Sequence, residues 1–185
     1  NDFSPLLTNT SDTETGTPGF QGDFSSFTVT TQGDQLGGTF GANQRIAEGL
    51  DLVDDDGTVT VEAGTFTENV TVGKSVTLQG ASSGTAIINA TGGTGEGIVV
   101  TEPGVTVDNF EIQATTFGIA VRDVETTASD GLAITNNTLT FPGGQEFDAD
   151  NSGTAGDALG EQAIGIQVSG VSGATAPVIE DNVIG

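Results

Sequence analysis

Three segments of eight residues carry the same kinds of side chain at the same positions, and no gap is needed to align them. The segments are residues 105–112, 132–139 and 177–184. Their third and eighth positions are always Val, Ile or Leu, and their fifth is Asn or Asp, which tolerate the left-handed backbone of a tight bend. A second unit, Gly-Ile-x-Val, precedes each segment and begins at Gly97, Gly118 and Gly165. This ordered repetition indicates a stack of similar coils with an Asn ladder at one bend.

The intervals between the repeated glycines measure the length of one coil. They are 21 and 47 residues. A coil of three strands needs about 20 to 25 residues if each strand has about four residues and each bend about three. The longer interval therefore contains one coil and an insertion at about residues 141–163, where the Gly, Asp and Asn content indicates a loop.

A short amphipathic helix is predicted before the repeats. Ile46, Leu50 and Val53 recur at the spacing of one helical face, and Asn43 is placed as an N-cap. Gly49 lies inside this segment and costs about 1 kcal/mol relative to Ala. We therefore expect the helix to be held by packing rather than by its own propensity.

The order of this helix, residues 57–72 and residues 74–80 resembles the opening of pectin-lyase-like right-handed parallel β-helix proteins. The resemblance covers residues 43–185 and implies a cap helix, three parallel sheets and an internal stack of aliphatic side chains. We therefore predict an all-β chain: a right-handed parallel β-helix over residues 41–185, with a short N-terminal cap helix. The family includes polysaccharide lyases, hydrolases, epimerases, adhesins and phage spikes, so the resemblance implies a fold more than a function.

Residues 1–40 are predicted to form an extended arm or linker because they are polar and rich in Thr, Ser, Gly and Asp. Within them, Phe27 and Val29 alternate with Thr, which is the pattern of a strand with one apolar face. Together with Phe24, these residues are candidates for pairing with another copy of the chain by strand addition, and packing on the chain's own coils is the alternative.

The chain has 26 acidic and 3 basic residues, and a net charge of −23. Such a charge argues against nucleic acid and anionic membrane surfaces as partners, because both would repel it. No apolar run approaches the about 20 residues needed to span a bilayer, so membrane insertion is not expected. Cysteine is absent, and four Asn-x-Ser/Thr sequons accompany a high Thr and Gly content. We predict an extracellular or cell-surface location.

The insertion contains a candidate Ca²⁺ site. Side-chain oxygens alternate along it and Gly153 stands at the position of the sharp turn, as in the first half of an EF-hand loop. The twelfth position would be Leu159 rather than Glu, so a solvated loop is the alternative interpretation. The candidate ligands are Asp148, Asp150, Ser152, Thr154 and Asp157.

A catalytic alternative rests on Arg122, which is the one basic residue among the repeated coils. Resemblance to the lyases of the family would make Arg122 a candidate base, with Asp123 and Asp130 holding Ca²⁺. The competing interpretation is that Arg122 pairs with neighbouring carboxylates on the surface of a coil. The scarcity of basic groups leads us to expect that the chain is not an enzyme.

The last repeated segment is not followed by a polar coil or a capping helix in this sequence. We therefore expect exposed apolar residues and unpaired strand edges that another chain can meet. The predicted function is an extracellular structural or adhesive subunit that assembles head-to-tail into a fibre, surface layer or matrix. The alternative is a Ca²⁺-dependent carbohydrate-active or glycan-binding fragment, with an extracellular polysaccharide as partner. The residues predicted to form this surface are Val178, Ile179, Val183 and Ile184.

Overall fold

A computed structural model describes residues 23–31, 45–126, 131–142, 164–173 and 175–185. Its described part contains one helix, α1 (Arg45–Leu52), and strands that pair only in parallel. The strands in chain order are β1 (Ser26–Val29), β2 (Gly57–Val61), β3 (Gly64–Phe66), β4 (Val70–Val72), β5 (Val76–Gly80), β6 (Ala86–Asn89), β7 (Ile98–Val100), β8 (Thr106–Asp108), β9 (Phe110–Gln113), β10 (Phe117–Arg122), β11 (Glu125–Thr126), β12 (Ala133–Thr135), β13 (Thr138–Thr140), β14 (Ile164–Ser169), β15 (Ser172–Gly173), β16 (Val178–Glu180) and β17 (Val183–Ile184).

Three main sheets collect these strands. Sheet A has the order β1-β2-β5-β8-β12-β16, sheet B has β17-β13-β9-β6-β3, and sheet C has β14-β10-β7-β4. From β2 onward the chain visits sheets A, B and C in that cyclic order, and each such pass is called a coil below. A small fourth sheet pairs β11 with β15. The prediction of an all-β, parallel architecture with one short helix is confirmed.

The core consists of columns, meaning residues in register on successive strands of one sheet. In sheet A, Val59, Leu78, Val107 and Ile134 follow one another in one column, and all four are completely buried. Their strand neighbours point outward because side chains alternate along a strand. Burying each such aliphatic side chain contributes about 1.5–3 kcal/mol, so stacking the coils is the main source of stability.

The two repeated motifs occupy equivalent places in successive coils. The eight-residue segments run from sheet A into sheet B, so that Ile112, Leu139 and Ile184 form one column of sheet B. The Gly-Ile-x-Val units lie at or near the start of β7, β10 and β14 in sheet C. Gly118 lies so close to the next coil that a Cβ there would collide with Leu139 and with the Gly165 carbonyl oxygen. Glycine at this repeated position therefore permits close stacking of the coils.

The bend between sheets A and B contains the Asn ladder. Position five of the three segments adopts a left-handed conformation, with φ of 61° at Asn109, 55° at Asn136 and 57° at Asp181. At position six, the Asn137 side chain is completely buried. Its Nδ2 donates to the Val107 carbonyl at 3.1 Å, and its Oδ1 accepts from the Phe110 amide at 3.0 Å. One carboxamide thus satisfies two backbone groups of the preceding coil.

The N-terminal end of the stack is covered by β1 and α1. Strand β1 extends sheet A by pairing with β2, and it buries Phe27 and Val29 in the chain's own core. Helix α1 contacts β1, β2 and β4. The segment predicted as part of a separate arm is therefore an integral strand, packed in cis.

We predict that Asn137→Ala destabilises the fold. The substitution leaves the buried Val107 carbonyl and Phe110 amide without their side-chain partner, and each such group costs about 1–3 kcal/mol. Urea denaturation followed by circular dichroism measures the change. The control is Asn89→Ala, since among the described residues the Asn89 side chain accepts from Thr91 alone, and its loss should cost below about 0.5 kcal/mol. Equal losses in the two variants would contradict a structural ladder.

Candidate functional site

The opposite end of the stack is formed by β14, β16 and β17, which are the last described strands of sheets C, A and B. Ile179, Ile184 and Val168 continue the core columns of sheets A, B and C, yet they are 43%, 39% and 39% exposed. Their partners in the preceding coil, which are Ile134, Leu139 and Val121, are completely buried. These three residues, together with the half-buried Ile166, are called the open face.

The sequence predicted four residues for this surface, and the structure divides them into two groups. Ile179 and Ile184 belong to the open face. Val178 and Val183, which are 44% and 61% exposed, stand instead in outward columns, next to Ala133 and Thr138. Val168 was missed by the sequence analysis, although its membership of the third Gly-Ile-x-Val unit could have identified it.

Strand edges surround the open face. Within the described residues, β14, β16 and β17 each pair with a single neighbour and stand last in sheets C, A and B. A last strand presents unpaired N–H and C=O groups, and exposed aliphatic side chains next to them favour addition of another strand. The arrangement can therefore bind a parallel coil. It offers no nucleophile or general base among the four side chains of the open face.

At the covered end, two polar side chains hold α1 in place, and the sequence analysis identified neither of them. The Ile46 and Ala47 amides donate to the Glu68 carboxylate at 3.0 and 3.1 Å, so Glu68 caps the first turn of α1 from the β3–β4 bend. Lys74 Nζ donates to the Val53 carbonyl at 2.8 Å and the Asp51 carbonyl at 3.2 Å, just where α1 ends. Because both helix ends are tied to the first coil, α1 acts as a lid on the core.

Glu68 is buried, which raises the pKa of its carboxyl above the usual value. Loss of hydration is the main cause, because burial disfavours the charged form. The amides of α1 and the Arg45 charge oppose the shift, since they stabilise the carboxylate. No local sequence pattern marked Glu68, because the helix that it caps is 22 residues away in the chain.

The Arg122 side chain contacts two neighbouring side chains of the same molecule. Its guanidinium forms an ion pair with Glu96 and lies over the Phe117 ring, 5.7 Å from the ring centre. Phe117 is on the same strand, whereas Glu96 is two residues before β7, the sheet C strand of the adjacent coil. The competing interpretation from the sequence placed Arg122 in such a pair.

Of the other two residues of the catalytic alternative, the structure describes Asp123, which follows Arg122 in the chain. Asp123 begins a bend with φ of 53°, and its amide donates to the Ser169 carbonyl at 3.1 Å. Asp130 lies outside the described residues, and so do all five candidate Ca²⁺ ligands between residues 148 and 157. Among the residues that are described, no group of three or more acidic side chains is arranged to hold a metal ion.

Comparison with known proteins does not identify a family. No family model matches the sequence, and neither the curated proteins nor the solved structures include a significant match. In the part of the chain that the structure describes, no helix is long and apolar enough to cross a membrane.

We predict that Glu68 gives the fold a pH dependence. The folded chain holds the Glu68 proton more tightly than the unfolded chain, whose value is near 4.5. The contribution of this group to the unfolding free energy is therefore greatest below pH 4.5 and is lost as pH rises through the folded-state pKa. Chemical denaturation of the wild type and Glu68→Gln from about pH 3 to about pH 8, which includes the range in which carboxyl groups titrate, measures this contribution.

The difference between wild type and Glu68→Gln should decrease with rising pH. Glu62→Gln, at an exposed position, controls for removing one negative charge. A difference that grows from pH 4.5 to neutrality would contradict the assignment, because it would mean that the folded state prefers the ionised carboxylate.

Proposed function

We propose that this chain is an extracellular structural or adhesive subunit, built as a right-handed parallel β-helix, that assembles head-to-tail. Cyclic passage through three parallel sheets, with aliphatic columns between them, supports the β-helix. The observation that carries the assembly is the open face, where the core columns continue into solvent at Val168, Ile179 and Ile184.

A second copy offers a suitable edge. Sheet A is entirely parallel, so its two edges differ: β16 is at one end and β1 is at the other. Within the described residues β1 pairs with β2, and β16 of another copy would add at the opposite edge of β1. When copies bind through two different surfaces, each bound copy leaves one surface free for the next copy. If the rotation between successive copies does not close a ring, the result is a filament.

The charge of the chain makes this assembly sensitive to ions. Copies that each carry a net charge of −23 repel one another, and salt screens that repulsion. Assembly should therefore strengthen with ionic strength, and Ca²⁺ is a candidate ion for an extracellular setting. Association driven by surface ion pairs would show the opposite dependence.

The contacts of Arg122 disfavour the carbohydrate-active alternative. A lyase-like reaction needs a free base within reach of its substrate. The guanidinium is instead paired with Glu96 and lies over Phe117, an arrangement that stabilises a surface rather than preparing a base. This contact supports the structural proposal over the catalytic one.

We predict that Val168→Glu prevents assembly. The substitution places an unpaired carboxylate in the joint between copies, where burying it would cost several kcal/mol and weaken association by at least about 100-fold. Sedimentation velocity over a concentration series measures the association, and electron microscopy shows whether filaments form.

The matched control is Val99→Glu. Val99 lies in an outward column of the same sheet, between Thr71 and Ala120, on a strand that is not at either edge. This variant adds the same charge but should assemble like the wild type. Wild-type protein that stays monomeric at both low and high salt, at the highest soluble concentration, would overturn the proposed function.

A further inference from the structure

The Asn ladder has a direction. Asn137 donates to the Val107 carbonyl and accepts from the Phe110 amide, both in the preceding coil. Asn182 repeats this pattern one coil later: its Nδ2 donates to the Ile134 carbonyl at 2.8 Å, and its Oδ1 accepts from the Asn137 amide at 3.0 Å. Each coil is therefore completed by position six of the coil that follows.

The last coil presents the equivalent groups to the place of a following coil. Ile179 stands in the column of Val107 and Ile134, so its carbonyl corresponds to the one that a ladder residue binds. Asn182 is the last ladder residue among those that the structure describes, and its amide corresponds to the Asn137 amide. A strand that continues sheet A beyond β16 therefore needs an aliphatic residue beside Ile179, a residue that tolerates a left-handed bend two positions later, and then a side chain that donates and accepts.

The sequence contains these features once more, in residues 5–10, which precede the described part of the chain. Their order, Pro-Leu-Leu-Thr-Asn-Thr, corresponds in residue type to the first six positions of residues 177–184, Pro-Val-Ile-Glu-Asp-Asn. Leu7 takes the aliphatic third position, Asn9 takes the bend at the fifth, and Thr10 supplies a hydroxyl at the sixth, which donates and accepts hydrogen bonds. The correspondence ends there, because the eighth position would be Asp12.

Residues 5–10 also fit the surface around β16. In this alignment Leu6 stands beside the exposed outward side chain of Val178, and Leu7 stands beside Ile179 of the open face. The segment therefore offers an aliphatic contact on each face of the strand. Its first residue, a proline, falls where Pro177 stands in the last coil, so the missing amide is tolerated at this position within the chain itself.

The spacing along the chain places the segment at the joint between copies. Leu7 precedes Phe27 of β1 by 20 residues, and the adjacent inward residues Val59 and Leu78 are 19 residues apart. One coil length thus separates the segment from β1, which is at the end of the stack that meets β16 in the proposed head-to-tail assembly.

We propose that residues 5–10 of one copy add in parallel to β16 of the copy before it, with Leu7 opposite Ile179 and Thr10 in the ladder position. This inference rests on the proposed head-to-tail assembly and refines it, because the segment lies between β16 of one copy and β1 of the next. The interaction is a strand addition, in which the backbone edge supplies affinity and the side chains supply register.

The first test uses the absence of cysteine from the chain. Glu180→Cys protein is mixed with Thr8→Cys protein under mild oxidation, and peptide mass spectrometry identifies a disulfide between the two. The proposed register places these positions opposite each other, within the about 4.4–6.8 Å between Cα atoms that a disulfide needs. Ser4→Cys is the matched control, because it lies about 13 Å further along the strand and should cross-link far less with Glu180→Cys.

The second test varies the ladder residue. Thr10→Asn supplies the carboxamide found at positions 137 and 182, and it should lower the dissociation constant between copies about tenfold. Thr10→Val keeps the shape and removes the hydroxyl, and it should raise that constant several-fold. Sedimentation velocity measures both constants, and thermal unfolding of dilute monomer shows whether the fold itself has changed.

The outcomes separate this inference from the proposed assembly. Association with the cross-link between positions 8 and 180 and with the expected order of affinities supports the added strand. Association in which Ser4→Cys reacts as well as Thr8→Cys, or in which wild type and both Thr10 variants bind equally, overturns it while head-to-tail assembly stands. A disulfide that forms within a dilute double variant carrying Thr8→Cys and Glu180→Cys, but not between the mixed single variants, shows that the segment binds its own chain and also overturns it. Absence of any association in the wild type overturns both proposals.

Discussion

The stacking of one coil on the next in parallel register is the interaction on which the rest of this structure depends. It places Val59, Leu78, Val107 and Ile134 in one buried column and leaves their strand neighbours facing outward. Because each coil contacts mainly its two neighbours, stability accumulates along the stack by nearest-neighbour contacts. The structure at the two ends of the stack and at the bends between sheets therefore determines how stable the stack is and what its end surfaces can bind.

The core columns are covered at one end of the stack and exposed at the other. At one end, α1 and β1 bury Ile46, Leu50 and Phe27, while Glu68 and Lys74 satisfy backbone groups at the two ends of the helix. At the other end, the same columns continue to exposed aliphatic side chains and to the last strands of three sheets. A parallel sheet has no symmetry between its edges, so this difference gives the stack a direction, and the proposed assembly would add copies along it.

Polar side chains decide the register where aliphatic columns alone would tolerate shifts. A column of Val and Ile side chains can pack well in several strand registers. The Asn137 carboxamide, in contrast, has to reach one particular carbonyl and one particular amide of the preceding coil. Buried polar groups are costly when they lack partners, which makes such a ladder selective. The large negative charge acts over a longer range and opposes any approach of two copies, so contact is governed by screening as well as by fit.

The sequence was sufficient to predict several features: the parallel strands from the repeats and the family resemblance, the helix from the spacing of Ile46, Leu50 and Val53, the left-handed bends at Asn109 and Asn136, and the exposure of Ile179 and Ile184. These features follow from local periodicity and from residue types with narrow backbone preferences. The cis packing of β1, the capping of α1 by Glu68 and the ion pair of Arg122 with Glu96 were decided by the tertiary structure alone. Each joins residues more than twenty positions apart, and only the way in which coils of unequal length bring strands into register determines which side chains meet.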